Sequence, residues 1–281
     1  MHPTGAPMAL APLDGLLGRS PESVEQLLNY GYRAAWKVRV GQDLFAVKAD
    51  IRPGFQQREA DAHRYAATSG VPVPEIVSVD DGPPATVVIR WVVGASLQGQ
   101  DSAAAWRAAG RVLRLIHALP PLRTHEQRWD DFVLDWFAGA LPYLARHGLG
   151  DGEITAALER ANGLRTTLRA EPQVWLHGDC QADHFILDPA SEQVVAVLEW
   201  ADAQQGAAGM DFAVLTLFDD GVLPHVLDGY EASADFRQRL AATLPFYSAV
   251  RAASAAAWLD THGYDRGEWP VEVVHRFARG D

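Results

Sequence analysis

Residues 174–211, VWLHGDCQADHFILDPASEQVVAVLEWADAQQGAAGMD, constrain the fold more than any other stretch of the chain. Val174–Leu176, Phe185–Leu187 and Val194–Leu198 are apolar runs too short for helices and suited to buried strands. Each is followed by chemistry. His177-Gly178-Asp179 closes the first, Asp188-Pro189 turns the chain after the second, and Glu199-Trp200 follows the third. Acids and imidazoles at strand ends are held by a scaffold yet remain exposed, which is the arrangement of an active site.

The remainder of the chain divides by periodicity. Ser20-Pro21 reads as the N-cap and first residue of a short helix reaching about Asn29. Residues 34–40 and 44–49 read as strands joined by Gly41-Gln42-Asp43, a hairpin signal. Residues 55–69 read as a helix bearing Glu59, stopped by Gly70-Val-Pro-Val-Pro74. Residues 76–79 and 86–93 are expected strands. Beyond Gly94 helical patterns dominate. Asp101 is placed to cap a helix through Trp106, Leu113 and Ile116, and further helices are expected over 130–147, 151–170, 210–218 and 235–258. The expectation is an α+β chain with a β-rich lobe over 1–92 and a helical lobe over 93–281.

Charge narrows the partners. The formal net charge is −12, and it is uneven: residues 1–92 hold 10 acids and 9 bases, residues 93–281 hold 26 acids and 15 bases. The acidic second half argues against nucleic acid as a partner and suits either a cationic small molecule or simple surface charge for solubility. No run reaches the roughly 18–20 apolar residues a membrane span needs, and the opening MHPTGAPMALAPLDGLLG lacks the marks of a signal peptide. The single cysteine, Cys180, forms no internal disulfide, so a reducing cytoplasm is expected. Only Lys37 and Lys48 are lysines, against 22 arginines; GC-rich coding explains such a bias without function, and the two positions that stay lysine are candidates for sites where a compact ammonium is wanted.

A strand lysine (Lys48), a helix glutamate 11 residues on (Glu59) and an Asp-bearing loop in a helical region make a protein-kinase layout. The His177-Gly178-Asp179 form, the Glu199-Trp200 ending, Met210-Asp211-Phe212, the Gly70–Pro74 break and Ile89-Arg-Trp-Val-Val-Gly94 together resemble the aminoglycoside and macrolide phosphotransferase family. The resemblance implies a protein-kinase-like two-lobe fold. It also implies transfer of the γ-phosphoryl group of ATP or GTP to a hydroxyl of a small molecule, such as an antibiotic, with Mg²⁺. By the same resemblance Asp179 accepts or orients the substrate proton, and His184 and Glu199 hold the metal. Lys48, steadied by Glu59, meets the phosphates, the backbone around Val92–Gly94 meets the purine, and His177 and Asp211 brace the loop. His184 stands where the family usually has Asn, as in its macrolide branch, and Glu199 replaces the usual Asp.

Two other readings use the same residues. A catalytically impaired kinase fold would bind nucleotide or ligand without transfer. A zinc-dependent hydrolase would gather His177, Asp179, Cys180 and His184, although four ligands within eight residues is unusual spacing. His117, at a helix end, is expected to be structural, and Cys180, with no basic partner in sequence, is expected to be unreactive.

Overall fold

The computed structural model describes residues 18–121, 127–264 and 267–280. The opening segment read as lacking a targeting signal therefore lies outside the described residues, save its last glycine. The chain is α+β with a protein-kinase-like fold, a β-sheet region first and a helical region after it. No described helix is long and apolar enough to cross a membrane.

The chain forms two compact units, one built from residues up to 116 with 181–203, the other from 117–180 with 204–281. They do not divide at the expected 92/93 boundary. The reason is a ladder: β6 (Ala95–Ser96) pairs antiparallel with β8 (Phe185–Leu187), which pairs with β9 (Val194–Val197). This brings 181–203 into the first unit. Gly94 makes the approach possible, because a Cβ there would lie 2.5 Å from both Ile186 Cγ2 and the Leu187 carbonyl oxygen.

In the first unit, β1 (Ser23–Asn29), β2 (Arg33–Val40), β3 (Asp43–Asp50), β4 (Ile76–Asp80) and β5 (Ala85–Arg90) form an antiparallel sheet in the order β1-β2-β3-β5-β4. The expected helix over 20–29 is thus a strand. Its backbone finds partners on β2, from Ser23 opposite Arg39 to Asn29 opposite Ala34, and that ladder outweighs the local Ser-Pro capping cue. Trp36, Val38, Phe45, Val47 and Val88 form an apolar cluster on the strands. Ala60, from helix α1 (Phe55–Ala67), clusters with Val87 and Ile89. The α1 helix also packs against the short 3₁₀ turn Trp200–Asp202, and the Val197 amide donates to the Pro72 carbonyl at 2.8 Å. Helix α2 (Ala103–His117) follows β6, and its first turn is capped by Ser102 rather than Asp101, the Ala105 amide donating to Ser102 Oγ.

The second unit is mainly helical: α3 (Trp129–Ala145), α4 (Asp151–Gly163), α5 (Arg165–Ala170), α6 (Gly209–Leu215), α7 (Leu223–Gly229), α8 (Ala234–His262) and α9 (Trp269–Arg279). Strands β7 (Gln173–Leu176) and β10 (Gln204–Ala207) pair antiparallel within it. Phe137, Phe246 and Phe277 meet with ring centroids 5.6–5.9 Å apart, joining α3, α8 and α9. Such pairs add to area burial because ring edges and faces carry opposite partial charge. The α8 helix starts on the Ser233 hydroxyl, which accepts from the Phe236 amide, and ends at Gly263 in the left-handed region.

Candidate functional site

The candidate residues fall into two sets, one in each unit. In the first unit, Lys48 and Glu59 are 6% and 4% exposed. Lys48 lies on β3 and Glu59 on α1, and the Lys48 ammonium donates to Glu59 Oε1. It also reaches Glu199 Oε1 at 2.6 Å. Burial alone would strip the proton from Lys48, but the Glu199 and Glu59 carboxylates outweigh it and hold the ammonium above its ordinary value. Arg33, at the start of β2, takes the other oxygen, Glu199 Oε2. Burial pushes the Glu199 carboxyl up, while Lys48, Arg33 and then His184 outweigh that push and keep it well below the usual carboxylate range.

Glu199 has φ 64°, a left-handed conformation that a non-glycine residue rarely adopts. It is the hinge between β9 and the Trp200–Asp202 turn, and Trp200, fully buried, anchors that turn through its indole N–H to the Val197 carbonyl. His184 ends the 3₁₀ turn Ala182–His184, and its carbonyl accepts from the Leu198 amide at 3.0 Å, which sets the two segments side by side. Glu199 and His184 offer one hard oxygen donor and one imidazole. Magnesium keeps water and phosphate oxygens about itself and takes one or two carboxylates from a protein, so the Glu199 carboxylate suits it, while the His184 imidazole is a softer donor than it prefers.

The zinc set does not assemble. Among the described residues no three His, Cys, Asp or Glu gather as a ligand group. Cys180 is fully buried, and burial, with Asp211 and Asp179 nearby, pushes its thiol well above its ordinary value. A protonated thiol is neither a metal ligand nor a nucleophile.

Residues 92–94 leave β5 without entering another strand, and Val93 is 80% exposed. Among the described residues none of their backbone groups bonds to protein, whereas Trp91 just before them donates to the Leu44 carbonyl. Backbone donors and acceptors are therefore available there.

In the second unit, β7 delivers His177-Gly178-Asp179. Gly178 takes φ 84°, so the chain turns sharply there. The Asp211 carboxylate, fully buried on α6, accepts from the His177 amide at 2.8 Å, the Gly178 amide at 3.0 Å and the His117 ring at 3.0 Å. The other His117 nitrogen meets the Tyr230 hydroxyl. His177 is itself fully buried. The loop backbone is thus clamped by a carboxylate from a helix 34 residues away.

Asp179 emerges from this clamp half-buried, with Oδ1 accepting from Arg251 Nη2 at 2.7 Å. Arg251 lies on α8 one turn beyond Ser248, which lines a cavity of about 200 Å³ with Thr216, Asp220 and Arg276. Two arginines, Arg33 and Arg251, thus join the expected residues. Their signals in sequence were slight. Arg33 stands two residues before Ala35, the strand partner of Lys48, and Arg251 interrupts a buried run of Ala249, Val250, Ala252 and Ala253.

A sheet bearing a buried lysine–glutamate pair and a helical unit bearing a clamped aspartate loop define a kinase-like small-molecule phosphotransferase. The model of the phosphotransferase enzyme family (APH) matches residues 31–247, and the chain belongs to that family. Comparison with curated protein sequences finds no match. Solved structures share the fold. A ternary complex of a thermostable aminoglycoside phosphotransferase APH(4)-Ia mutant with AMP-PNP and hygromycin B is 16% identical, with a TM-score of 0.72 over 95% of this chain and 96% of that one. The GDP complex of aminoglycoside 2'-phosphotransferase-IIIa is 15% identical, with a TM-score of 0.70 over 95% and 96%. Choline kinase LicA from Streptococcus pneumoniae is 15% identical, with a TM-score of 0.72 over 95% of each chain. The likeness to the macrolide branch rests on His184 alone.

Proposed function

We propose that the protein transfers the γ-phosphoryl group of ATP or GTP directly to a hydroxyl of a small molecule. The observation that carries this reading is the pairing of Lys48 with both Glu59 and Glu199, which prepares one ammonium for phosphate and one carboxylate for metal. Lys48 neutralises phosphate charge, and Glu59 keeps its Nζ in place. Glu199 and His184 would hold Mg²⁺, which when bound supplies further neutralisation at the phosphate oxygens. The backbone of Val92–Gly94 binds the purine edge. Asp179 accepts or orients the acceptor proton, and His177 and Asp211 brace its loop. Phosphoryl transfer needs positioning and charge more than covalent help, so this short set suffices.

The acceptor is a small hydroxyl compound. Support for an amine-bearing antibiotic comes from the acidic balance of 93–281 and from the hygromycin B complex of the relative. The choline kinase relative supports a smaller amino alcohol. Nucleotides of both bases occur among the relatives, AMP-PNP in one and GDP in another, so both are donors to test. The lone, buried cysteine suits a reducing cytoplasm.

The test is nucleotide consumption with ATP and GTP against aminoglycosides, macrolides and small amino alcohols. Asp179→Ala should lower turnover on the order of 10³-fold or more while nucleotide binding survives. Near-native turnover would remove Asp179 from the mechanism. Nucleotide binding with no transfer to any acceptor would leave a binding module in place of an enzyme.

A further inference from the structure

We infer that Arg33 is a second phosphate-binding cation of the nucleotide site, held on Glu199 until a metal ion takes that carboxylate. The inference rests on the nucleotide reading of the site and adds a residue to it.

The sheet register puts Arg33 beside Lys48. Arg33 lies opposite Asp50 and Ala35 opposite Lys48, so Arg33 and Lys48 share one face of the sheet and sit one diagonal step apart. Both reach Glu199, one cation on each oxygen. A divalent ion on Glu199 would repel both cations, and the less firmly held is the one that moves away. Lys48 is the more firmly held, with Glu59 as second carboxylate and 8% of its side chain exposed. Arg33 is 22% exposed, and Glu199 is its only ion-pair partner among the described residues. The nearby Asp50 does not compete for it, because both Asp50 oxygens are taken by Arg52. Arg33 is therefore the cation that leaves.

What it then meets follows from charge. Arg33, Lys48, Glu59 and Glu199 sum to zero. A divalent ion bound to Glu199 creates a surplus of positive charge beside a released guanidinium, and a polyphosphate is the ligand that balances both. The turn between β1 and β2 cannot serve as a full phosphate cradle. It holds a single glycine, Gly31, whose amide donates to Asn29 Oδ1, and the Tyr30 amide donates to the Arg33 carbonyl. With those amides spent on the turn, a planar guanidinium supplies the donors instead, in a geometry that matches two phosphate oxygens at once.

The two roles have opposite signs in binding, which makes them testable without turnover. Mn²⁺ alone, and adenylyl or guanylyl imidodiphosphate in the presence of Mn²⁺, are titrated calorimetrically into wild type and Arg33→Met. The variant should bind Mn²⁺ alone several-fold more tightly and the nucleotide complex about 10-fold more weakly, a loss of the size expected for one charge-assisted phosphate contact. Both affinities unchanged, or both moved in one direction, would overturn the inference. Circular dichroism and thermal unfolding establish that the variant is folded. Should it not fold, Arg33→Lys decides: losing the fork while keeping the charge should weaken the nucleotide complex roughly threefold, and an unchanged affinity overturns the inference. Wild type that binds neither nucleotide would instead sink the nucleotide reading itself.

Discussion

Asp211 shows how much one buried carboxylate organises. Three donors converge on it, two of them amides of the candidate catalytic loop. Asp211→Asn would turn one acceptor oxygen into a donor facing those N–H groups. We expect a loss of about 2–4 kcal/mol in urea unfolding, the penalty for leaving buried donors unmatched, together with a large fall in turnover. Native-like stability would mean that the loop holds itself. His63 offers a pH test. It is buried on α1 with its ring nitrogen against the Pro74 carbonyl, and burial pushes its pKa down. The unfolded chain then binds a proton that the folded chain refuses. Stability from this group is present above about pH 6.5, the ordinary imidazole value, and is lost as pH falls below it. His63→Gln should flatten the decline in stability between about pH 6.5 and 5 relative to wild type; an identical decline in both would clear His63. At this scale the sequence was partly readable. Lys48 and Glu59 are 11 residues apart on neighbouring elements, so spacing exposed them. Arg33 and Glu199 are 166 residues apart, and no local pattern joins them.

At the scale of elements, Gly206 marks a place where a strand backbone and a ring come close. A Cβ on Gly206 would lie 2.6 Å from the Trp129 ring and from Leu176 Cδ1, inside the β7–β10 pair that carries the candidate loop. Gly206→Ala should cost about 1–3 kcal/mol through overpacking and blur the near-ultraviolet dichroism of Trp129; an unaltered spectrum and midpoint would show that the ring can give way. The strands of 174–200 and the helix of Glu59 were legible because burial writes its period into the sequence. The strand β1 was not. Val24 and Leu27 are each 46% exposed on this edge strand, and a bulge between Gln26 and Leu28 breaks its alternation. With no buried face to impose a period of two, only the Ser-Pro cue remained, and it pointed to a helix. The short strands β6 and β10 exist only by pairing with distant residues, which no window of sequence reports.

For the whole molecule, the important fact is that the sheet unit is discontinuous. Helix α1 packs on the Trp200–Asp202 turn, and β6 needs β8 as its partner. A fragment ending at residue 92 therefore lacks the cover for α1, and we expect its α1 amides to exchange with deuterium far faster than in the intact chain. Equal protection would show that the sheet and helix stand alone. The same discontinuity bears on how the protein is made. A ribosome releases the five-stranded sheet first, but residues 181–203 leave the exit tunnel only after all of 117–180 has been synthesised. Through that interval the Lys48–Glu59 pair waits without Glu199, and Arg33 waits without its carboxylate. The unit whose strands emerge first is thus completed by residues delivered later, and Glu199 can reach Lys48 and Arg33 only once they have emerged.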